Sequence, residues 1–254
     1  MKAQQGDMFA KLENSLVDLP RHLGGGVKAV LVVSAHWEES QFTVSSSAKP
    51  PMLYDYHGFA PHTYTVQYPA LGSPDLAEKV RALIAQGGKA VGLDDQRGFD
   101  HGTFCMLAPM YPKAELPVVQ LSLRADFAPQ AHIDVGRLLA PLRDEGVLIL
   151  GSGSSYHNLR QFNASAAVPS RQFDEWLNES LTLLTPDQRA QRLALWQNAP
   201  AARLAHPREE HLLPLMVALG AAYGEKATRT YHQTDLLGGI HMSSFRFGEN
   251  PIAS

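Results

Sequence analysis

The run Val27–Trp37, VKAVLVVSAHW, leaves this chain the fewest choices of fold. Val27, Ala29, Val30, Leu31, Val32 and Val33 make an apolar, β-branched stretch that reads as a strand buried on both faces, the pattern of a central parallel strand. In open α/β sheets ligands sit beyond the carboxyl ends of the strands. His36 stands at that end, behind two small residues, Ser34 and Ala35, that let other groups approach. A histidine there can also be a core residue held by a backbone partner, so its placement needs a second observation.

That observation is a second strand built the same way. Val147–Leu150 runs directly into GSGSSYHN, in which glycines and serines predict a tight turn with exposed backbone N–H groups and His157 follows just past it. Around these two strands the periodicity predicts a helix over 7–18, broken at Leu19-Pro20 and Gly24–Gly26. Further helices are expected over 73–85, 133–145, 170–184 and 186–196, and one opening at Pro207 and running to about Tyr223. Short strands are expected at 41–46, 89–93 and 117–123, with closing strands at 227–231 and 240–247. Residues 50–69, dense in Tyr54, Tyr56, Phe59, Tyr64 and Tyr68, read equally as a loop pinned by its own aromatics or as an aromatic pocket wall. Arg97–Thr103, RGFDHGT, shows neither helical nor strand period around His101. Alternating strands and helices without repeats or linkers predict one α/β domain over 1–254, three-layered, with a central mostly parallel sheet and helices on both faces.

Composition excludes several classes. Hydrophobic residues at 44% and charged residues at 19% are those of a globular protein, not of a disordered one. A net charge of −3 without a Lys/Arg cluster offers no surface for nucleic acid or for a polybasic membrane contact. The single cysteine, Cys105, precludes an internal disulfide and fits a reducing compartment. No apolar run reaches the roughly 18 residues of a membrane span, and no signal-peptide core stands at the N-terminus. A cytoplasmic protein is the expectation, with assembly into homo-oligomers left open.

Eleven histidines are the unusual count. Four of them, His36, His101, His157 and His211, fall at element ends or turns, where three imidazoles converging beyond a sheet would make a borderline site for zinc or iron(II). No HExxH, P-loop, GxGxxG or CxxC competes, and GSGSS lacks the glycine spacing of a nucleophile elbow. His101 could equally hold its own turn, and His211 could be a plain surface residue.

The pieces SAHWEE, YPALGSPDLA, RGFDHGTF, PVVQLSL, LRDEGVLILGSGSSYHNLR and REEHLLPL occur in this order between about Val27 and Gly224. Together they resemble the DODA-type extradiol aromatic ring-opening dioxygenases, the superfamily of the protocatechuate 4,5-dioxygenase catalytic subunit. The resemblance implies a non-haem metal enzyme that opens a catechol with O2 to a semialdehyde. Its active cofactor would be Fe2+, with Zn2+ as an occupant of resting protein, and its partners a small aromatic diol and O2. His36 matches a metal ligand and His211 a further ligand. His157 matches a residue described both as a ligand and as the acid/base group, and His101 a pocket histidine with a proton or substrate role. The rival readings are a zinc-dependent hydrolase on the same imidazoles and a truncated, non-catalytic member.

One departure accompanies the resemblance. The family opens on a strand ending in a His-Gly motif that supplies a metal ligand, and here Met1 stands where the helix after that strand would lie. His22, in a Pro/Gly-flanked stretch and not followed by glycine, does not replace it. The expectation is a first strand lost or lying upstream of Met1, which would leave an unpaired edge along Val27–Ala35.

Overall fold

The structure, a computed structural model, describes residues 8–24 and 26–248. In chain order its elements are α1 (Ala10–Leu23), β1 (Ala29–Glu39), β2 (Phe42–Ser45), α2 (Pro74–Gln86), β3 (Val91–Asp94), α3 (His101–Met110), β4 (Val118–Arg124), α4 (Pro129–Leu139), α5 (Pro141–Asp144), β5 (Val147–Ser152), α6 (Ala167–Thr182), α7 (Pro186–Ala194), α8 (Ala202–Ala205), α9 (Leu213–Ala221), β6 (Ala227–Leu236) and β7 (Ile240–Phe247). The first five strands form one sheet in the order β3-β2-β4-β1-β5. All its pairings are parallel except β2 with β4, which meet at Val44 and Leu121. The α/β class and the mostly parallel sheet match the expectation.

β1 explains why its sequence is apolar throughout. Leu31 and Val33 enter one core with α2, α4, α6 and α9, while Val30 and Val32 enter a second core with Leu16 of α1 and Phe104 and Leu107 of α3. Alternate side chains leave opposite faces of a strand, so one central strand feeds both outer layers. On the first side, α4 and α9 approach to backbone contact. A Cβ on Gly136 would lie 2.1 Å from the Val217 carbonyl oxygen, and one on Gly220 would lie 2.0 Å from that of Ile133.

Several expectations require correction. β1 is not left with a bare edge, because β4 and β5 flank it on both sides; among the described residues the sheet's edges are β3 and, next to β1, β5. A cleft of about 460 Å³ opens along the β5 edge, between Leu12 and Leu19 of α1, Leu215 of α9, and Met242 and Phe245 of β7. α1 runs through Pro20 to Leu23, past the break expected at Leu19-Pro20. RGFDHGT does not stay irregular: Asp100 caps α3 by accepting from the Thr103 N–H. Gly102 and Pro109 had masked this helix by weakening its local signal. The helix expected over 133–145 starts earlier and divides before Pro141. The one expected from Pro207 forms only at Leu213, so His211 lies in the turn that precedes it. β6 and β7 do not close the sheet but, among the described residues, pair antiparallel with each other alone.

This hairpin clasps α1 and Met8 before it. Lys11 Nζ pairs with Asp235 at 2.7 Å, Gln233 Nε2 donates to the Met8 carbonyl at 3.4 Å, and Arg246 Nη1 donates to the His22 carbonyl at 3.2 Å.

Two histidines outside the expected four are buried core residues. His132 Nδ1 donates to the Ala128 carbonyl while Nε2 accepts from the Arg124 N–H, and His206 Nε2 donates to the Ser155 carbonyl. Burial pushes each pKa down to about 4. The unfolded chain therefore takes up protons near pH 6.5 that the folded chain refuses until about pH 4, and stability falls across that window as pH is lowered. The expected loss is on the order of 3 kcal/mol for each group by the lower end. Urea unfolding at about pH 7 and about pH 4.5 measures it, and a His132→Gln variant should show a shallower pH dependence.

Candidate active site

The four histidines expected from the sequence come together at the carboxyl-end side of β1 and β5. Their rings form a continuous arc: His101 lies 3.9 Å from His36 between centroids, His36 lies 4.9 Å from His211, and His211 stacks on His157 at 3.3 Å. Each arrives on a different element, so the site exists only in the folded chain.

His36 sits in an irregularity of β1, where the pairing with β4 shifts between Val33 and Glu38. Such a bulge re-aims the side chains it carries. The Ser34 hydroxyl anchors it by donating to Asp100 at 2.9 Å. Asp100 is fully buried, and its charge is met by Arg97 at 2.6 Å and by the N-terminal turn of α3. Gly102 is required by close approach, since a Cβ there would fall 2.8 Å from Ser34 Oγ and 2.9 Å from the His36 ring. FDHG thus brings α3 against the end of β1 and places His101, the first residue of α3, beside His36.

The other half is assembled on β5. Gly153 abuts the backbone of the turn before α9: a Cβ would meet the His211 carbonyl oxygen at 2.2 Å, and the Ser154 N–H donates to that same oxygen at 3.0 Å. The glycines of GSGSS therefore serve close packing, and the Ser154 N–H expected to be exposed is used internally. The His157 N–H donates to the Ala205 carbonyl, which fixes the residue against α8.

Two carboxylates complete the arrangement, and sequence reasoning assigned neither. Asp55, from the aromatic loop, accepts from the backbone N–H of His101 at 3.0 Å and lies 2.7 Å from its Nδ1; its other oxygen is 3.5 Å from His36 Nδ1. Burial pushes Asp55 up, but the hydrogen bonds from His101 outweigh it and hold the pKa at about 2. Asp55 is therefore ionised at neutral pH and accepts a hydrogen bond from His101 Nδ1–H; in the neutral imidazole that arrangement puts the lone pair on Nε2. Glu210 does the same for His157, 3.2 Å from its Nδ1. Burial opposes ionisation there too, and the His157 contact leaves the pKa below the usual carboxylate value. The signal for Glu210 was its place in REEH beside His211; Asp55 lay in a loop with no period to single it out.

Burial, reinforced by the neighbouring imidazoles, pushes His211 down to about 2, and burial with His101 lowers His36 against the pull of Asp100 and Asp55. Both rings are neutral at pH 7. His211 Nδ1 is buried and finds no hydrogen-bond partner among the described residues. Neutral, converging imidazoles with an orphaned nitrogen are the donor set of a divalent transition metal, so the residues present fit one. Donor atoms mutually within 4.8 Å fall into two groups, His36–Asp55–His101 and His157–Glu210–His211. The expected ligand set, His36, His157 and His211, draws on both.

The aromatic loop is at once self-pinned and part of the site. Tyr54 and Tyr56 donate to the carbonyls of Val66 and Thr63, while the Tyr56 ring stands edge-on to His101 at 5.4 Å and 6.4 Å from Phe104.

The model of the catalytic LigB subunit of aromatic ring-opening dioxygenases matches residues 4–244. The chain belongs to this family. Among LigB-type relatives, the 4,5-DOPA dioxygenase extradiol of Beta vulgaris is 39% identical, the match covering 87% of this chain and 82% of that protein. The protein of the same name from Escherichia coli strain K12 is 36% identical over the same shares. Dioxygenase tasH of Hapsidospora irregularis is 37% identical over 89% of this chain and 73% of its own length. The crystal structure of an uncharacterized protein from Escherichia coli K12 superposes with a TM-score of 0.78 at 33% identity, covering 93% of this chain and 92% of that one. The extradiol, ring-opening class expected from the motifs is the family's own. No helix among the described residues is long and apolar enough to cross a membrane.

Proposed function

We propose that the four-histidine arc holds iron(II) and opens the ring of an ortho-diphenol with O2 to a semialdehyde. His36 and His211 are the holding pair, and His157 is a third nitrogen in the resting protein and the acid/base group in turnover. The observation that carries this reading is the neutral, half-buried His211, whose buried Nδ1 has no partner among the described residues, between the rings of His36 and His157. The bound metal would supply open positions at which diol and dioxygen meet and a path for electrons between them.

The chain's own residues handle protons. His101, with Nδ1 committed to Asp55, offers Nε2 as a base for a phenolic proton; His157, oriented by Glu210, offers Nε2 in the same way and can return the proton as an acid. Tyr56 and Phe104 give an aromatic substrate a wall beside His101. The names of the relatives make 3,4-dihydroxyphenylalanine the first diphenol to test.

Purified protein loaded anaerobically with iron(II) should consume O2 with a catechol and form a yellow semialdehyde. His36→Ala and His211→Ala should each lose bound iron and activity together with circular dichroism unchanged. Retained metal in both variants would remove the ligand assignment. Cleavage of esters by the zinc form without O2, and no oxygen uptake by the iron form, would replace the reading with a hydrolase.

A further inference from the structure

Some distance along the chain from this arc, the β6–β7 hairpin packs on α6 and brings together a second set of donors. Asp174 of α6 is almost wholly buried at 2% exposure. Its Oδ1 accepts from the Ser243 hydroxyl at 2.5 Å, and its Oδ2 lies 3.2 Å from His232 Nε2. In the hairpin His232 stands opposite Ser243, so His241, two residues before Ser243, is its diagonal neighbour on the same face of the pleat. The two imidazoles are 5.6 Å apart between centroids, inclined at 59°, and one donor atom from each, with one carboxylate oxygen, lies within 4.8 Å of the others. The His241 backbone is fixed too, its N–H donating to Ser170 Oγ of α6 at 3.0 Å.

We propose that Asp174, His232 and His241 form a second divalent-metal site, separate from the catalytic arc, that takes zinc. Two imidazole nitrogens and one carboxylate oxygen are a borderline donor set that zinc accepts readily, with the fourth position left to water. In an ideal tetrahedral site donors about 2.0–2.1 Å from the metal stand a little over 3 Å apart. The Asp174–His232 separation already has that value, and rotation of the His241 ring brings in the third donor. Ser243 supplies the outer hydrogen bond that orients the ligating carboxylate. One group competes: Arg229 Nη1 is 3.5 Å from Asp174 Oδ2. That distance is too long for a strong hydrogen bond, and with about a third of its side chain exposed the guanidinium can swing to solvent when the metal enters.

The site has a structural consequence. The Ser243 N–H donates to Ser155 Oγ at 2.9 Å, in the turn that carries His157. A zinc ion joining β6, β7 and α6 would staple the hairpin that buttresses this turn, without touching the reacting groups.

The test uses the chelator-stripped full chain, titrated with Zn2+ by calorimetry and with Co2+ by visible absorbance. In a His36→Ala/His211→Ala background, which removes the holding pair of the first site, one equivalent of zinc should still bind and raise Tm. Adding His241→Ala or His232→Ala should weaken that equivalent by more than about 100-fold, beyond the loss typical of an outer-shell partner, and abolish the Tm rise. His241→Gln, which keeps a polar side chain and spares the hairpin, should do the same with circular dichroism unchanged, while Arg229→Ala should tighten binding. If the first site holds no metal at all, the unmodified chain binds one equivalent rather than two, and His241→Ala takes it to none, so the two readings fail separately. Zinc binding in the double-variant background that is absent, or indifferent to His232 and His241, overturns the proposal.

Discussion

Replacing His157 by alanine is expected to lower the rate of ring opening by about 10²–10⁴-fold, the range typical of losing a positioned general acid/base. Iron should largely remain, since His36 and His211 still supply their nitrogens. The expectation rests on orientation: Glu210 fixes Nδ1, the N–H bond to Ala205 fixes the backbone, and the ring lies flat on His211 at 3.3 Å. Steady-state oxygen uptake beside iron analysis reads both quantities. Metal lost in proportion to activity would make His157 a ligand first, and full activity would remove it from the chemistry. Glu210→Gln should give a smaller fall, because the amide still accepts from Nδ1 but no longer favours the imidazolium.

Among single substitutions, the largest effect on stability is expected at the crossing of α4 and α9. Gly220→Ala puts a methyl group 2.0 Å from the Ile133 carbonyl oxygen, and Gly136→Ala puts one 2.1 Å from that of Val217. Alanine gains about 1 kcal/mol over glycine in helix propensity. Overpacking costs about 1–3 kcal/mol where side chains can yield. Here the obstacles are backbone carbonyls of a helix, which cannot turn aside, so the cost sits at or above the top of that range. Each variant should show a net loss of roughly 2 kcal/mol or more in urea unfolding. The double variant should be less than additive, because forcing the helices apart once relieves both contacts. Gly88→Ala serves as a control on space, with nothing within 4 Å of its Cβ, though its φ of +74° carries a backbone cost of its own.

Sequence reasoning reached the sheet and the four histidines because both leave local marks. A strand buried on two faces is apolar throughout, and small residues followed by histidine mark its end. It did not reach what depends on partners far along the chain. Asp55 has no pattern of its own; its role comes from the approach of His101, 46 residues later. α3 was obscured by Gly102, which the close approach to the His36 ring requires, and by Pro109 inside the helix. β6 and β7 read correctly as strands, but nothing in their alternation says that, among the described residues, they pair only with each other. Among the described residues the bare edges fall to β3 and β5 rather than to β1, since strand order is set by crossovers that the pattern of a single strand does not encode.

The clasp between α1 and the β6–β7 hairpin bears on the order in which the molecule is made. Lys11 and Asp235 stand 224 residues apart, as do His22 and Arg246. A growing chain on the ribosome releases α1 near the beginning and the hairpin only after all five strands of the sheet. Contacts of such long separation close late, since the intervening loop must first be ordered. α1 can rest on α3 before then, but its final fastening waits for the hairpin. Until that moment the apolar face carrying Leu12, Leu16 and Leu19 is only partly covered, and this is the interval in which the nascent protein is most exposed to association with its neighbours.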